Sequence, residues 1–213
     1  MSKGGRTCIH CHEQTHSHIL CHLCHGVQPF LKGAAAPSPF AYFGVPASFD
    51  LDLQALEQRY FYLQRQVHPD CASTGNGMSG SNDNKSNEIS THLMHHGMQV
   101  NMIYTLLKNP LSRGIALLEA HTGPVNLETA PQDPQMLWDV MQRQESLAAA
   151  KGFTELNELV MAAEVHLQHT LAVVKALFAA SAPRDALLSA LMVLKYAQKW
   201  RENSRDKLRQ IPK

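Results

Sequence analysis

Four cysteines stand in two pairs near the start of the chain, Cys8-x2-Cys11 and Cys21-x2-Cys24. Two residues between thiols let both reach one ion while backbone N–H groups support the sulfurs. Two such knuckles supply the ligands of a closed, tetrahedral, structural zinc site. Nine residues separate the pairs, a length that suits a small hairpin. Six of the thirteen histidines fall between residues 10 and 25. His10, His12, His22 or His25 could replace a thiolate, but the four-sulfur set is the simpler expectation. Two disulfides and a CxxC redox couple are the competing readings. A redox pair ordinarily opens a helix within a βαβ unit, and no such pattern surrounds these cysteines. A closed site leaves no coordination position for catalysis.

The second constellation is "QRQVHPDCAS", residues 64–73, where a helical pattern ends in His68-Pro69-Asp70 and gives way to Ser, Gly and Asn. As a catalytic pair, His68 and Asp70 would need a pocket and a third polar partner, with Cys71 or Ser73 as nucleophile. Residues this close in sequence rarely face each other productively, and no oxyanion-hole glycine signature follows. As a structural device, His68 could cap the helix C-terminus, where an imidazolium suits the dipole. Neither reading uses all three residues.

The elements that must position these groups are helical. Leu53, Leu56, Tyr60, Leu63 and Val67 follow the i, i+3, i+4 rule, which predicts an amphipathic helix over 52–67 with Asp52 as N-cap. Pro69 stops it. Residues 71–86, "CASTGNGMSGSNDNKS", read as a mobile loop. Ile89, Leu93, Val100, Ile103, Leu106 and Leu107 predict a second helix, weakly interrupted at Gly97, and "LSRGIALLEAH" a shorter one that ends before Gly123. The Pro/Ala/Gly stretch 33–46 reads as a connector, and residues 121–134, with three prolines, as a second break. Beyond it, 133–150, 153–180 and a helix opened by Pro183 should fold back into an antiparallel bundle. Leu156, Leu159, Val160, Ala163, Leu167, Leu171, Val174 and Phe178 form one stripe, and Leu187, Leu191, Leu194 and Trp200 another.

The fold class is therefore mainly α: a small N-terminal zinc-bound module (1–32), a helical domain (33–122) and a C-terminal three-helix antiparallel bundle (123–213). The 213 residues are 44% hydrophobic and carry a formal charge of +1. That charge argues against nucleic acid or a membrane as partner. No run approaches the roughly 18 apolar residues of a transmembrane helix, and "MSKGGRTC" has neither a secretory h-region nor an Arg-rich amphipathic leader. Either the chain is cytoplasmic or a leader is missing from it.

A helix ending in HPD, a loop and a second helix resemble a J-domain, the module that docks on heat-shock ATPase chaperones of the seventy-kilodalton class. "FAYFGVPASFDLDLQALEQRYFYLQRQVHPD", "VNMIYTLLKNPLSRGIALLEAHTG", the helical C-terminal part and the closing "KLRQIP" together resemble the HscB family of iron–sulfur cluster biogenesis. Eukaryotic members also carry a tetracysteine zinc module, so Cys8, Cys11, Cys21 and Cys24 fit the resemblance, which covers residues 8–211. It implies a co-chaperone and not an enzyme. It implies that His68, Pro69 and Asp70 trigger ATP hydrolysis by a mitochondrial chaperone, with Arg59 and Arg65 steering it to the preceding helix. Those arginines could equally be an ordinary solvated face.

The resemblance further implies that Leu137, Trp138, Met141, Gln142, Gln144, Glu145 and Tyr196 bind an IscU-like cluster scaffold, although Leu137 or Met141 could be bundle core. It implies the mitochondrial matrix as location. Three departures stand out: Cys71 after HPD where Lys or an aromatic is usual, a longer polar loop, and Gln142 and Gln144 where the bacterial pattern carries charges. The rivals are a general J-protein serving unfolded clients, a zinc-bearing nucleic-acid binder and a thiol oxidoreductase. For the zinc module three roles stay open: homodimer formation, bracing of the J-domain, or binding of another factor.

Overall fold

The computed structural model describes residues 6–31, 33, 36–68, 83–129 and 133–211. Its elements are two short strands, β1 (Arg6–Thr7) and β2 (Gln14–Thr15), and seven α-helices among the described residues. The helices are α1 (Pro39–Phe43), α2 (Leu53–Val67), α3 (Asp83–Lys108), α4 (Pro110–Thr122), α5 (Pro134–Ala149), α6 (Phe153–Ala179) and α7 (Arg184–Arg209). The expected mainly α class is what the chain adopts. No described helix is long and apolar enough to cross a membrane. The chain forms two compact units, Met1–Ala47 with Leu51–Asn109, and Ser48–Asp50 with Pro110–Lys213.

In the first unit, β1 and β2 pair antiparallel, Arg6 opposite Thr15, and frame the first cysteine knuckle. The stretch expected to be connector contains α1. Ser38 caps it by accepting from Ala41 N, Pro39 supplies the preset φ of a first helical position, and Gly44 ends it at φ 66. Gly44 N donates to Ala41 O and Val45 N to Phe40 O, the paired bonds of a Schellman stop that requires a left-handed residue. This single turn buries Phe40, Tyr42 and Phe43.

Helix α2 starts where expected, with Asp52 Oδ1 accepting from Gln54 N at 2.8 Å and Ala55 N at 3.1 Å. Leu56, Leu63 and Val67 are buried, each contributing about 1.5–3 kcal/mol. Helix α3 buries Leu93, Val100, Ile103 and Leu107 and packs along α2. It runs unbroken through Gly97, which faces Val67: an added Cβ would sit in ordinary contact with Val67 Cγ2 at 3.6 Å. Residues 83–86, expected as loop, form the first turn of α3. Extending an existing helix by a turn costs far less than nucleating one. The rest of the expected mobile loop, together with Pro69, Asp70, Cys71 and Ser73, lies outside the described residues.

In the second unit, α6 and α7 pack closely. Glu164 pairs with Arg205 at 2.8 Å and His166 meets the Trp200 ring, so the two helices run antiparallel. Their core is Leu156, Ala163, Leu167 and Val174 against Leu187, Leu191, Met192, Leu194 and Ala197. Helix α5 joins along α7, where Lys207 Nζ donates to the terminal carbonyls of Leu147 and Ala148. Helix α4 also packs on α7. Gly114 lets it approach, since a Cβ there would lie 2.5 Å from Leu191 Cδ2. Phe49 belongs to this unit too, stacked on Phe178 at 5.2 Å, with its carbonyl accepting from Arg113 Nε.

A four-cysteine centre and two candidate docking faces

The four expected cysteines converge. Cys8 and Cys24 Sγ lie 3.6 Å apart, Cys11 and Cys21 Sγ 3.8 Å apart, and all four sulfurs lie within 4.8 Å of one another. A tetrahedron of Zn–S bonds of about 2.3 Å has sulfur–sulfur edges of about 3.8 Å. A disulfide needs about 2.05 Å, so the four are free thiols placed as metal ligands.

The two knuckles repeat one geometry. His12 N donates to Cys8 O and His25 N to Cys21 O, each at 3.0 Å. His10 N and Leu23 N donate to the Cys8 and Cys21 sulfurs. His12 and His25 take φ values of 61° and 57° to close the turns, a conformation histidine tolerates better than most side chains. The interleaved histidines are used as second-layer groups: the His10 ring bonds Val27 O at 2.8 Å and the His22 ring bonds Thr15 Oγ1. Burial pushes the Cys8 thiol up, but the N–H groups of Cys11 and His10 and the Gln28 amide outweigh it, and its pKa falls to about 6. Metal binds the thiolate, so the donors that favour the Cys8 anion also favour binding.

Sequence reading did not anticipate how this centre joins the helices. Gln28 is fully buried. Its amide donates to Cys8 Sγ at 3.3 Å and to Gly26 O at 2.9 Å, while its backbone carbonyl meets His96 Nε2 at 2.9 Å. A carbonyl only accepts, so Nε2 carries the proton, and His96 Nδ1 accepts from Tyr42 Oη at 2.7 Å. Burial lowers the His96 pKa to about 4, which keeps the ring neutral. The Phe30 ring stacks on His95, and its N–H donates to His92 Nδ1. The one signal was the cluster "THLMHH" at 91–96, whose partners lie more than sixty positions away in sequence.

On α2, His68 is the exposed C-terminal cap, at φ −64° and ψ 137°. Arg65 is exposed one turn earlier. Arg59 is not beside it: six residues of helix turn it to another face, where it is half-buried. There its Nε donates to Phe43 O at 2.7 Å and its guanidinium covers the Tyr62 ring. The exposed neighbours of Arg65 are Phe61 and Tyr62.

On the bundle, Trp138 and Met141 are each 56% exposed, and Gln142, Gln144 and Glu145 are exposed beside them on α5, with Leu137 half-buried. Tyr196 on α7 is half-buried and lines the same hollow as Gln144. Sequence reading missed Arg143, which lies across the Trp200 ring, 5.1 Å from its centre, at the edge of this face. Trp200, expected on the apolar stripe of the last helix, packs half-buried against Leu147, Ala150 and Leu156 and lines the hollow too.

No family model matches the chain. It is 33% identical over 145 residues to the co-chaperone protein HscB homolog of Bordetella petrii, covering 65% of this chain and 78% of that protein. It is 25% identical over 158 residues to the iron-sulfur cluster co-chaperone protein HscB homolog of Arabidopsis thaliana; this match covers 74% of the chain but spans only 57% of that relative's length. The crystal structure of human co-chaperone protein HscB shares the fold, with a TM-score of 0.76 and 23% identity over 95% of this chain and 98% of that one.

Proposed function

Since the chain belongs to the HscB co-chaperone family, we propose that it recruits an IscU-like iron–sulfur cluster scaffold to a seventy-kilodalton heat-shock chaperone and stimulates that chaperone's ATPase. The scaffold docks on Leu137, Trp138, Met141, Gln142, Gln144, Glu145 and Tyr196, with exposed Trp138 and Met141 forming an apolar patch of the kind found at interface centres. His68, Pro69 and Asp70 trigger hydrolysis, with Arg65 steering the approach. Arg59 acts through α1, whose last turn it holds. The chain makes and breaks no bond of its own. It biases the chaperone between two states, and both ligands must prefer the same state for the transfer to couple.

Cys8, Cys11, Cys21 and Cys24 hold a structural zinc ion, and Gln28 and His96 carry its ordering into the helical domain, which favours the bracing role over homodimer formation. The functional segments are 1–32, 33–122 and 123–213. The place of action is the mitochondrial matrix. The observation that carries the reading is the identity across more than three quarters of the Bordetella petrii relative, whose name states a co-chaperone.

The test is single-turnover ATP hydrolysis by a mitochondrial chaperone of this class, with and without the scaffold. Stimulation is expected to rise with scaffold and to vanish in His68→Gln. Stimulation indifferent to scaffold would leave a general J-protein serving unfolded clients, and none at all would overturn the co-chaperone reading.

A further inference from the structure

The hollow between α5 and α7 holds more charge than the fold uses. Arg143, Gln144, Tyr196, Lys199 and Trp200 line it, and no acidic side chain does. Its volume of about 90 Å³ is several times the roughly 10–15 Å³ one water needs. The Arg143 guanidinium lies over the Trp200 ring, 5.1 Å from its centre, and makes no ion pair among the described residues. A guanidinium resting on an aromatic ring keeps N–H donors available for a carboxylate. Lys199 is paired to Glu202 at 2.9 Å with both side chains largely in solvent, and such a pair is worth about 1 kcal/mol or less, so it is easily exchanged. The Trp200 indole N–H is shielded from water and finds no acceptor among the described residues. Asp139 lines an adjoining hollow that shares Arg143 and Trp200; in this one the only charged side chains are the cationic Arg143 and Lys199, set among Val140, Leu147, Tyr196 and Trp200.

We infer that this hollow is a carboxylate subsite: an Asp or Glu side chain of the docked scaffold protein enters it, pairs with Arg143 and Lys199, and lays its aliphatic stem on Trp200. The inference rests on the delivery reading above. It adds that the partner's surface is acidic opposite α7, next to the apolar patch of Trp138 and Met141. Arg143 already rests against Trp200, which lowers the rotamer entropy lost on pairing, and the contact sharpens register as well as affinity.

Calorimetric titration of the full chain with an IscU-like scaffold protein tests it, using Arg143→Glu, Arg143→Lys, Lys199→Glu and Trp138→Ala, each checked for unchanged helicity and melting. Arg143→Glu is expected to weaken binding about tenfold or more, Arg143→Lys by less than about threefold. Wild-type affinity should fall more steeply than that of Arg143→Glu as salt rises from about 0.05 to about 0.5 M. If Arg143→Glu and Lys199→Glu bind like wild type while Trp138→Ala binds weakly, the subsite is overturned and the delivery reading stands. If the wild-type chain does not bind the scaffold, both fall.

Discussion

The four-cysteine module and the α6–α7 pair are ordered by opposite means. In the module, the fully buried residues are Cys8, Cys21, Thr15 and Gln28, with Ile19 nearly so. In the helix pair, Leu156, Val174, Leu191, Met192 and Leu194 are buried. A segment as short as 6–31 cannot remove enough apolar surface from water to offset its chain entropy. Four thiols placed to hold a metal ion and buried hydrogen bonds do that work instead. The helix pair has length enough for a continuous leucine seam and needs no ion. One chain thus holds a unit fixed by ligand spacing and another fixed by periodicity, and each should fail under a different insult.

The largest expected effect separates them directly. Metal removal by a strong chelator, or Cys8→Ser, should bring amide exchange across 6–31 to unfolded rates, since a structural zinc ion of the kind proposed for this site supplies on the order of 10 kcal/mol. Exchange in α6 and α7 should hold, and equal loss there would break the contrast. Next, Leu191→Ala should destabilise the bundle by about 2–5 kcal/mol, read as a fall in its melting temperature, with zinc content unchanged.

A comparable effect should come from acid. His96 is neutral when folded, with its pKa lowered to about 4 by burial, whereas an unfolded histidine titrates near 6.5. Between these values the unfolded chain binds a proton the folded one does not, so stability is intact above about pH 6.5 and declines as pH falls toward 4. The loss reaches up to roughly 3 kcal/mol. His96→Gln should flatten that slope in urea titrations of the first unit at pH 7 and pH 5. The smallest effect belongs to α2, where Asp52→Ala should cost about 1 kcal/mol by orphaning two N–H groups, measurable as a shift in urea midpoint.

What the sequence revealed follows the range of the forces involved. Asp52, Leu56, Leu63 and Val67 announce α2 because capping and helical periodicity act within a few residues. The cysteine centre is legible because two-residue spacing is itself a chelate constraint. Helix α1 hides inside a stretch rich in Pro, Ala and Gly, although Ser38, Pro39 and Gly44 are start and stop signals in the right order; a single turn is too short to show a period. The bond from Gln28 to His96 spans 68 positions, and nothing local to either residue points to the other. The separation of Arg59 from Arg65 was available from helix geometry alone, since six residues do not return to the same face.

That span of 68 positions also has a meaning in time. Chains are synthesised at roughly 5–20 residues per second, so Gln28 exists for roughly 3 to 14 s before His96 is made. Throughout that interval the Gln28 carbonyl stands without the His96 N–H that later bonds it. Any ion bound in that time is held by the knuckles alone. A chain that never meets its metal would end with helices that are complete and a brace that is not.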